Sequence, residues 1–236
     1  MVIDRATQGA DLSSAVILVD KPSGLSSFDV IRRLRRATGI RKIGHAGTLD
    51  PMATGLLICM TGKATKTMAS LVELDKSYCG TIRLGQSTAS YDAETDVVQN
   101  VDASHITRSD IEEAAREFSG TIVQTSPPFS AIKVGGERLY RKARRGEKVQ
   151  APPRVVTIYE FRVTGLQDRD AEFFVRCSKG TYIRSLAHDL GRTLGVGAHL
   201  IRLRRLAVGP YSVDNALSLD EVEAMAQSQP SDSAGA

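Results

Sequence analysis

Apolar positions along this chain recur with two periods, and the period changes at turn residues. Val16 to Val19 is a short apolar run that reads as a strand, stopped by Asp20-Lys21-Pro22-Ser23-Gly24, where Pro and Gly punctuate a turn. Ser26 or Ser27 can cap a following helix that turns Val30, Ile31 and Leu34 inward and ends at Gly39. Gly55 to Met60 is apolar throughout, and Ala64 to Leu74 has helical spacing through Met68, Leu71 and Val72. Tyr78, Gly80, Ile82 and Leu84 then alternate with Cys79, Thr81 and Arg83, as in a half-buried strand. Thr107 with Asp110 makes a capping box for a helix burying Ile111, Ala114, Ala115 and Phe118, with Gly120 as its stop.

Strand-like runs follow at Thr121 to Thr125, Phe129 to Val134, Val155 to Val163 and Ala171 to Ser178, separated by Pro127-Pro128, Gly135-Gly136 and other turn residues. Tyr182 to Leu194 reads as a helix through Ile183, Leu186, Ala187 and Leu190. An alternating strand near Leu200 to Val208 and a last helix from a Ser218 and Glu221 capping box complete the pattern. Strands outnumber helices, and several are too closely linked for βαβ crossovers, which need about a dozen residues or more. The expected class is α+β, with a mixed, largely antiparallel central sheet flanked by helices and loops. Residues 1 to 14 and 228 to 236 are small, polar and without periodicity, so both are expected to be loose tails.

Composition narrows the function classes. A chain of 236 residues that is 42% hydrophobic and 25% charged can bury a full core as one large domain or two small ones. No apolar run approaches the ~20 residues of a membrane span and no signal-peptide pattern opens the chain, so a cytoplasmic protein is expected. Cys59, Cys79 and Cys177 are widely spaced, without a CxxC pair, and signal neither a disulfide framework nor a zinc site. The net charge of +4 decides little alone, but its clustering adds weight to a polyanionic partner. Arg32, Arg33, Arg35, Arg36, Arg41 and Lys42 form one basic stretch; Arg138, Arg141, Lys142, Arg144, Arg145 and Lys148 a second; Arg202, Arg204 and Arg205 a third.

Several familiar chemistries are excluded by spacing. Gly55 and Gly62-Lys63 are too far apart for a phosphate loop, and Ala64 stands where Ser or Thr would hold magnesium. Gly195-Val196-Gly197 lacks the third glycine of a dinucleotide site, which Leu200 replaces. His45, His105, His188 and His199 form no HExxH pair, and no serine sits in a GxSxG elbow. What remains is Asp50, in a segment dense with Gly and Pro whose backbone can approach a ligand closely. By spacing alone it is either an Asp-Pro turn residue or a reactive carboxylate.

Five ordered motifs carry a resemblance. Residues 44 to 57 read Gly-His-Ala-Gly-Thr-Leu-Asp-Pro-Met-Ala-Thr-Gly-Leu-Leu. Around them, in order, stand Lys21 to Ser27; Lys76-Ser77-Tyr78 leading to Leu84-Gly85; Gln124 through Pro127-Pro128 to Lys133 and Tyr140; and Cys177 to Leu186. The chain resembles the TruB family of tRNA pseudouridine-55 synthases over roughly residues 15 to 213. The resemblance implies a pseudouridine synthase fold with a catalytic core over 15–183 and the rest of the core, or the TruB C-terminal segment, over 184–227. In the family a small PUA-like domain usually follows; this sequence stops at Ala236, as a natural short form or as a truncation, and that domain is expected to be absent from it.

The reaction implied is isomerisation of uridine 55 in the T-loop of tRNA. The bond from uracil N1 to C1′ breaks, the base turns, and C5 bonds to C1′. No redox change or hydrolysis occurs, so no cofactor and no metal is expected. By resemblance Asp50 is the essential carboxylate, with attack on C1′, attack on C6 and removal of the 2′ proton left open. Tyr78 would stack on the uracil, Arg184 would pair with Asp50, and Tyr182 would line the pocket. His45 would fill the gap left by the flipped nucleotide and Leu203 would touch the flipped base. Lys21, Arg202 and the basic stretches would hold backbone phosphates. The expected partner is a tRNA T-stem-loop, with no membrane and no obligate protein partner, and the protein is expected to be a monomer. The rival reading is a catalytically idle RNA-binding or RNA-folding module.

Overall fold

The computed structural model describes residues 1–7, 11–130, 133–139, 145, 147 and 152–228. In chain order its strands are β1 (Val2–Ile3), β2 (Val16–Lys21), β3 (Ile43–Ala46), β4 (Thr54–Thr61), β5 (Lys76–Leu84), β6 (Gln86–Thr88), β7 (Val97–Asn100), β8 (Gly120–Gln124), β9 (Lys133–Val134) and β10 (Glu137–Arg138). These are followed by β11 (Arg154–Gln167), β12 (Asp170–Cys177), β13 (Ala198–Val208), β14 (Tyr211–Ser212) and β15 (Leu217–Ser218). The α-helices are α1 (Ser27–Thr38), α2 (Met68–Glu73), α3 (Arg108–Arg116), α4 (Ile183–Thr193) and α5 (Leu219–Gln227). The α+β class holds: most strand pairs are antiparallel, with parallel pairing of β1 and β15 to β2 and of β13 to β4.

The chain forms two compact units, Met1–Lys76 with Arg204–Ala236, and Ser77–Leu203. In the first unit β4 is the organising strand. One edge pairs with β2 from Val16↔Met60 to Lys21↔Gly55, and the other takes β3 and the last part of β13. Alternation sends Val16, Leu18, Leu56, Ile58 and Met60 into one core with Leu71, Val208 and Val213. Helix α1 buries Val30, Ile31 and Leu34 and packs on α5, where Arg33 grips Glu223 through two bonds of 2.7 Å. Ser26 caps α1 in a full capping box with Asp29, and Gly39 ends it at φ 70°. Ser27 is left for another task.

In the second unit β11 lies between β8 and β12, and β5 follows β12. Helix α3, boxed by Thr107 and Asp110, turns Ile111, Ala114 and Ala115 inward and packs on β11 and α4. Phe161 and Phe173 meet edge to face at 5.9 Å across β11 and β12, and Arg83 of β5 holds Asp170 of β12 with two bonds of 2.7 Å.

Several expectations change. The segment from Ala64 to Leu74 is only half α-helix, because Gly62–Thr67 is a 3₁₀ turn in which Thr65 and Thr67 hydroxyls bond back to the carbonyls of Gly62 and Ala64. The N-terminal residues are not a loose tail where described: Ile3 and Leu12 are fully buried, β1 pairs with β2, and the Arg5 amide reaches Asn215. The basic stretches are also less open than their spacing suggested. Arg33 is consumed by α5, Arg204 by Asp20 at 2.7 Å, and Arg205 is buried, while Arg36, Arg41, Lys42 and Arg202 are exposed. Ala131, Ile132, Tyr140, Arg141, Lys142, Arg144, Lys148 and the tail 229–236 lie outside the described residues.

Candidate active site

The Gly- and Pro-dense segment that leads to Asp50 begins as a strand. β3 runs to Ala46 with His45 opposite Cys59 of β4, and the chain then turns at Gly47, φ 82°. From there three polar side chains of the same unit hold the loop by its backbone. The Arg205 guanidinium donates Nη2 to the Gly47 carbonyl at 3.0 Å and Nε to the Leu56 carbonyl at 2.6 Å. The Ser27 hydroxyl donates to the Leu49 carbonyl and accepts from the Leu49 amide at 2.8 Å. Lys21 donates Nζ to Pro51 O, Pro22 O and Leu25 O at 3.2, 3.0 and 2.6 Å. Leu49 drops its side chain into the core, and the next residue, Asp50, is left half-exposed at the start of a turn closed by the Ala53 amide.

Lys21 therefore stands in the loop's foundation. It is fully buried, so its expected place at a phosphate is corrected: an ammonium spent on three carbonyls and hidden from water cannot meet an incoming backbone. Arg205 was missed as an individual. Alternation in β13 carries the signal, because Arg205 shares the inward parity of Leu203 while Arg202 and Arg204 face the other way. Its charge has electrostatic consequences. Burial, then the Arg205 cation, holds the His45 imidazole below its ordinary pKa, so His45 is an uncharged ring at neutral pH. Burial pushes the Cys59 thiol up to about 12, against the pull of Arg205, which makes it an inert core group.

In the second unit, Tyr78 on β5 and Leu203 on β13 are both buried. Arg184 lies in the first turn of α4 and is only 5% exposed, unlike an ordinary arginine at a helix start. Its guanidinium meets Asp92 Oδ2 at 3.2 Å, the Ser90 carbonyl at 3.2 Å and the Phe129 carbonyl at 3.0 Å. Asp92 has no exposure at all, and its carboxylate also takes the Ser90 hydroxyl and the Glu94 amide. Burying such a charge demands this degree of pairing. Asp92 carried no signal in the sequence, since nothing periodic links it to a helix some ninety positions away.

Tyr182, just before α4, is gripped through its backbone. Its amide donates to Gln124 Oε1 at 2.7 Å and its carbonyl accepts from Gln124 Nε2 at 3.0 Å. The Arg154 guanidinium sits 5.0 Å from the Tyr182 ring centre. Gln124, which opens one of the five motifs, is thus the residue that orients Tyr182. The first unit brings together Asp50, His45 and the Lys21 anchor, and the second brings together Tyr182 and Arg184 at the head of α4, with Tyr78 and Leu203 on strands.

Solved structures place this architecture. The chain superposes on one from a crystal structure of a Cbf5–Nop10–Gar1 complex with TM-score 0.70 and 29% identity, over 90% of this chain and 54% of that one. A chain from an H/ACA RNP bound to a substrate RNA containing 2′-deoxyuridine gives 0.67 and 28%, over 90% and 53%. This chain thus spans about half the length of those two. The fold is that of a pseudouridine synthase. Residues 35–183 match the TruB family pseudouridylate synthase N-terminal domain, and residues 184–234 match the tRNA pseudouridylate synthase B C-terminal domain. The protein named tRNA pseudouridine synthase B from Thermobifida fusca is 49% identical over 90% of this chain and 75% of its own. Its namesake from Opitutus terrae is 48% identical over 89% and 87%. This chain belongs to the TruB family of pseudouridylate synthases.

Proposed function

We propose that this protein is a tRNA pseudouridine synthase that isomerises uridine 55 in the T-loop, with Asp50 as its essential carboxylate. The observation that carries the reading is the loop itself: buried Arg205, Ser27 and Lys21 fix the backbone at Gly47, Leu49 and Pro51, and leave Asp50 half-exposed among them. Fixing a reactive group through its supporting backbone is how a site avoids reorganisation during the reaction. The relatives' name, tRNA pseudouridine synthase B, supports tRNA as the substrate class.

The isomerisation conserves every atom. The N1–C1′ bond breaks, the uracil rotates, C5 bonds to C1′, and the proton lost from C5 is balanced by one gained at N1. The target base must leave the stack, which costs a few kcal/mol of unstacking. Uncharged His45 supplies a flat ring for the vacated space, and Tyr78 stacks on the uracil. Arg184, held by Asp92, is the counter-charge that keeps the Asp50 carboxylate ionised and oriented. Tyr182 and Leu203 line the base, and the exposed Arg36, Arg41, Lys42 and Arg202 take phosphates.

The test is conversion of a T-stem-loop transcript by purified protein, read by chemical mapping of pseudouridine. Wild type is expected to modify the uridine at position 55 and Asp50→Ala to bind the transcript without converting it. Turnover by Asp50→Ala would overturn the assignment of Asp50, and modification confined to another uridine would overturn the assignment of position 55.

A further inference from the structure

Tyr91 has a backbone that its side chain should resist. Its φ is 64°, in the left-handed region that glycine enters freely and that a bulky residue rarely adopts. Such strain persists only where surrounding contacts over-determine it, and it concentrates at functional sites. Here the contacts are visible. The Tyr91 ring is stacked on His188 with centroids 3.8 Å apart and planes 9° from parallel, and the Tyr91 carbonyl takes the Leu200 amide at 3.0 Å. His188 lies one helical turn beyond Arg184 on α4, so the stack ties the 90–92 turn to the helix that carries that arginine.

The neighbours of Tyr91 on both sides meet Arg184, Ser90 through a hydrogen bond and Asp92 through an ion pair. Ser90 offers its carbonyl at 3.2 Å and Asp92 its carboxylate at 3.2 Å. A shift of the turn along α4 would break both contacts together. The same turn is closed by the Thr88 hydroxyl, which donates to the Asp92 carbonyl at 2.7 Å, and by the Ser90 hydroxyl on the Asp92 carboxylate. We propose that Tyr91 and His188 are positioning residues for the isomerisation, a stacked clamp that sets the 90–92 turn so that Ser90 and Asp92 hold Arg184 in its working orientation. The inference rests on the role given to Arg184 under Proposed function. Burial holds His188 below its ordinary pKa, which keeps its ring uncharged against Tyr91 at neutral pH.

Single-turnover rates at saturating enzyme on the T-stem-loop transcript, with transcript affinity and melting temperature measured separately, test it. Tyr91→Ala and Tyr91→Gly are expected to lower the rate by about tenfold, the size of one lost aromatic stack, with affinity unchanged. Glycine accepts φ 64° without strain, so Tyr91→Gly should melt no lower than Tyr91→Ala while being equally slow. A merely structural tyrosine would instead give rates that follow melting temperature. Tyr91→Phe and His188→Phe keep a ring and should restore most of the rate, whereas His188→Ala, which leaves the backbone alone, should match Tyr91→Ala. In an Asp92→Asn background, where Arg184 has already lost the ion pair of the two contacts that the clamp sets, Tyr91→Ala should cost clearly less than in wild type. A wild-type rate in Tyr91→Gly and His188→Ala, or a full additional loss in the Asp92→Asn background, overturns the clamp. Arg184→Met run alongside separates the two ideas: its turning over like wild type overturns the role of Arg184 and the clamp with it. A slow Arg184→Met beside fast Tyr91→Gly and His188→Ala overturns the clamp alone.

Discussion

The loop that carries Asp50 and the helix head that carries Arg184 are built by opposite means. Buried cations and a hydroxyl hold the loop by its carbonyls, at Gly47, Leu49 and Pro51, and none of those bonds touches the carboxylate through which the loop is proposed to act. At Arg184 the guanidinium itself is held, by Asp92 and the carbonyls of Ser90 and Phe129. A group placed through its backbone does not need its head to serve as the loop's anchor. A group whose head is fixed can present charge in one direction only, which suits a counter-ion better than a reactant. The proposed division of labour between Asp50 and Arg184 follows from that difference.

The largest expected effect strikes the loop. Lys21→Met preserves the buried stem but leaves three carbonyls without their shared donor, and should lower unfolding free energy by about 3 kcal/mol or more in urea titrations. Unchanged stability with lost RNA affinity would restore Lys21 to phosphate binding and break the comparison at its first term. Asp92→Asn strikes the other side. It keeps the shape and removes the charge that orients Arg184, so kcat should fall by about tenfold or more while transcript affinity changes little. Equal loss in both quantities would mean that Arg184 binds RNA and is not a counter-ion.

How much of this was legible in the sequence depended on whether a signal is local. Capping boxes at Thr107 and Ser218, the αL stop at Gly39, the alternation of β5 and the strand-like run of β12 are short-range patterns, and the structure follows them. The four residues of β3, with a glycine and a histidine among them, show no period of their own; they form a strand by pairing with the edge of β4. Gly55 opens an apolar run in the sequence, but the reason for a glycine there is distant: a Cβ would lie 2.2 Å from the Arg205 carbonyl on β13. The candidate site divides in the same way. Asp50 and Arg184 stand in motifs, whereas Asp92, Arg205 and Ser27 matter through partners far along the chain, and sequence spacing says nothing about them.

Ser27→Ala is a milder probe of the backbone-held loop. It removes a donor and an acceptor that both serve buried Leu49, and should cost about 2 kcal/mol of stability. Since Ser26 is the helix cap, helix content by circular dichroism should stay unchanged. A loss of helix content would show that Ser27 supports α1, leaving the loop with two anchors.

The smallest effect is a pH dependence, and it discriminates the two regions by their histidines. His45 beside the loop and His188 on α4 are both depressed from the ordinary value of 6.5, each chiefly by burial. The next cause differs: for His45 it is the Arg205 cation, which adds to the depression, and for His188 it is Asp189, which opposes it. A histidine with its folded pKa below its unfolded one contributes stability that is complete above pH 6.5. As pH falls below that value the unfolded chain takes up the proton first, and stability declines until the folded pKa is passed. Each ring can add at most about 1.4 kcal/mol per pH unit to that decline. His45→Gln and His188→Gln should each flatten the acid limb of the stability curve, and Arg205→Lys, which retains the positive charge, should leave the His45 share in place. If His45→Gln leaves the limb as steep as wild type, the His45 ring is already solvated in the folded protein and is not the dry, uncharged surface that the loop is proposed to offer an emptied base position.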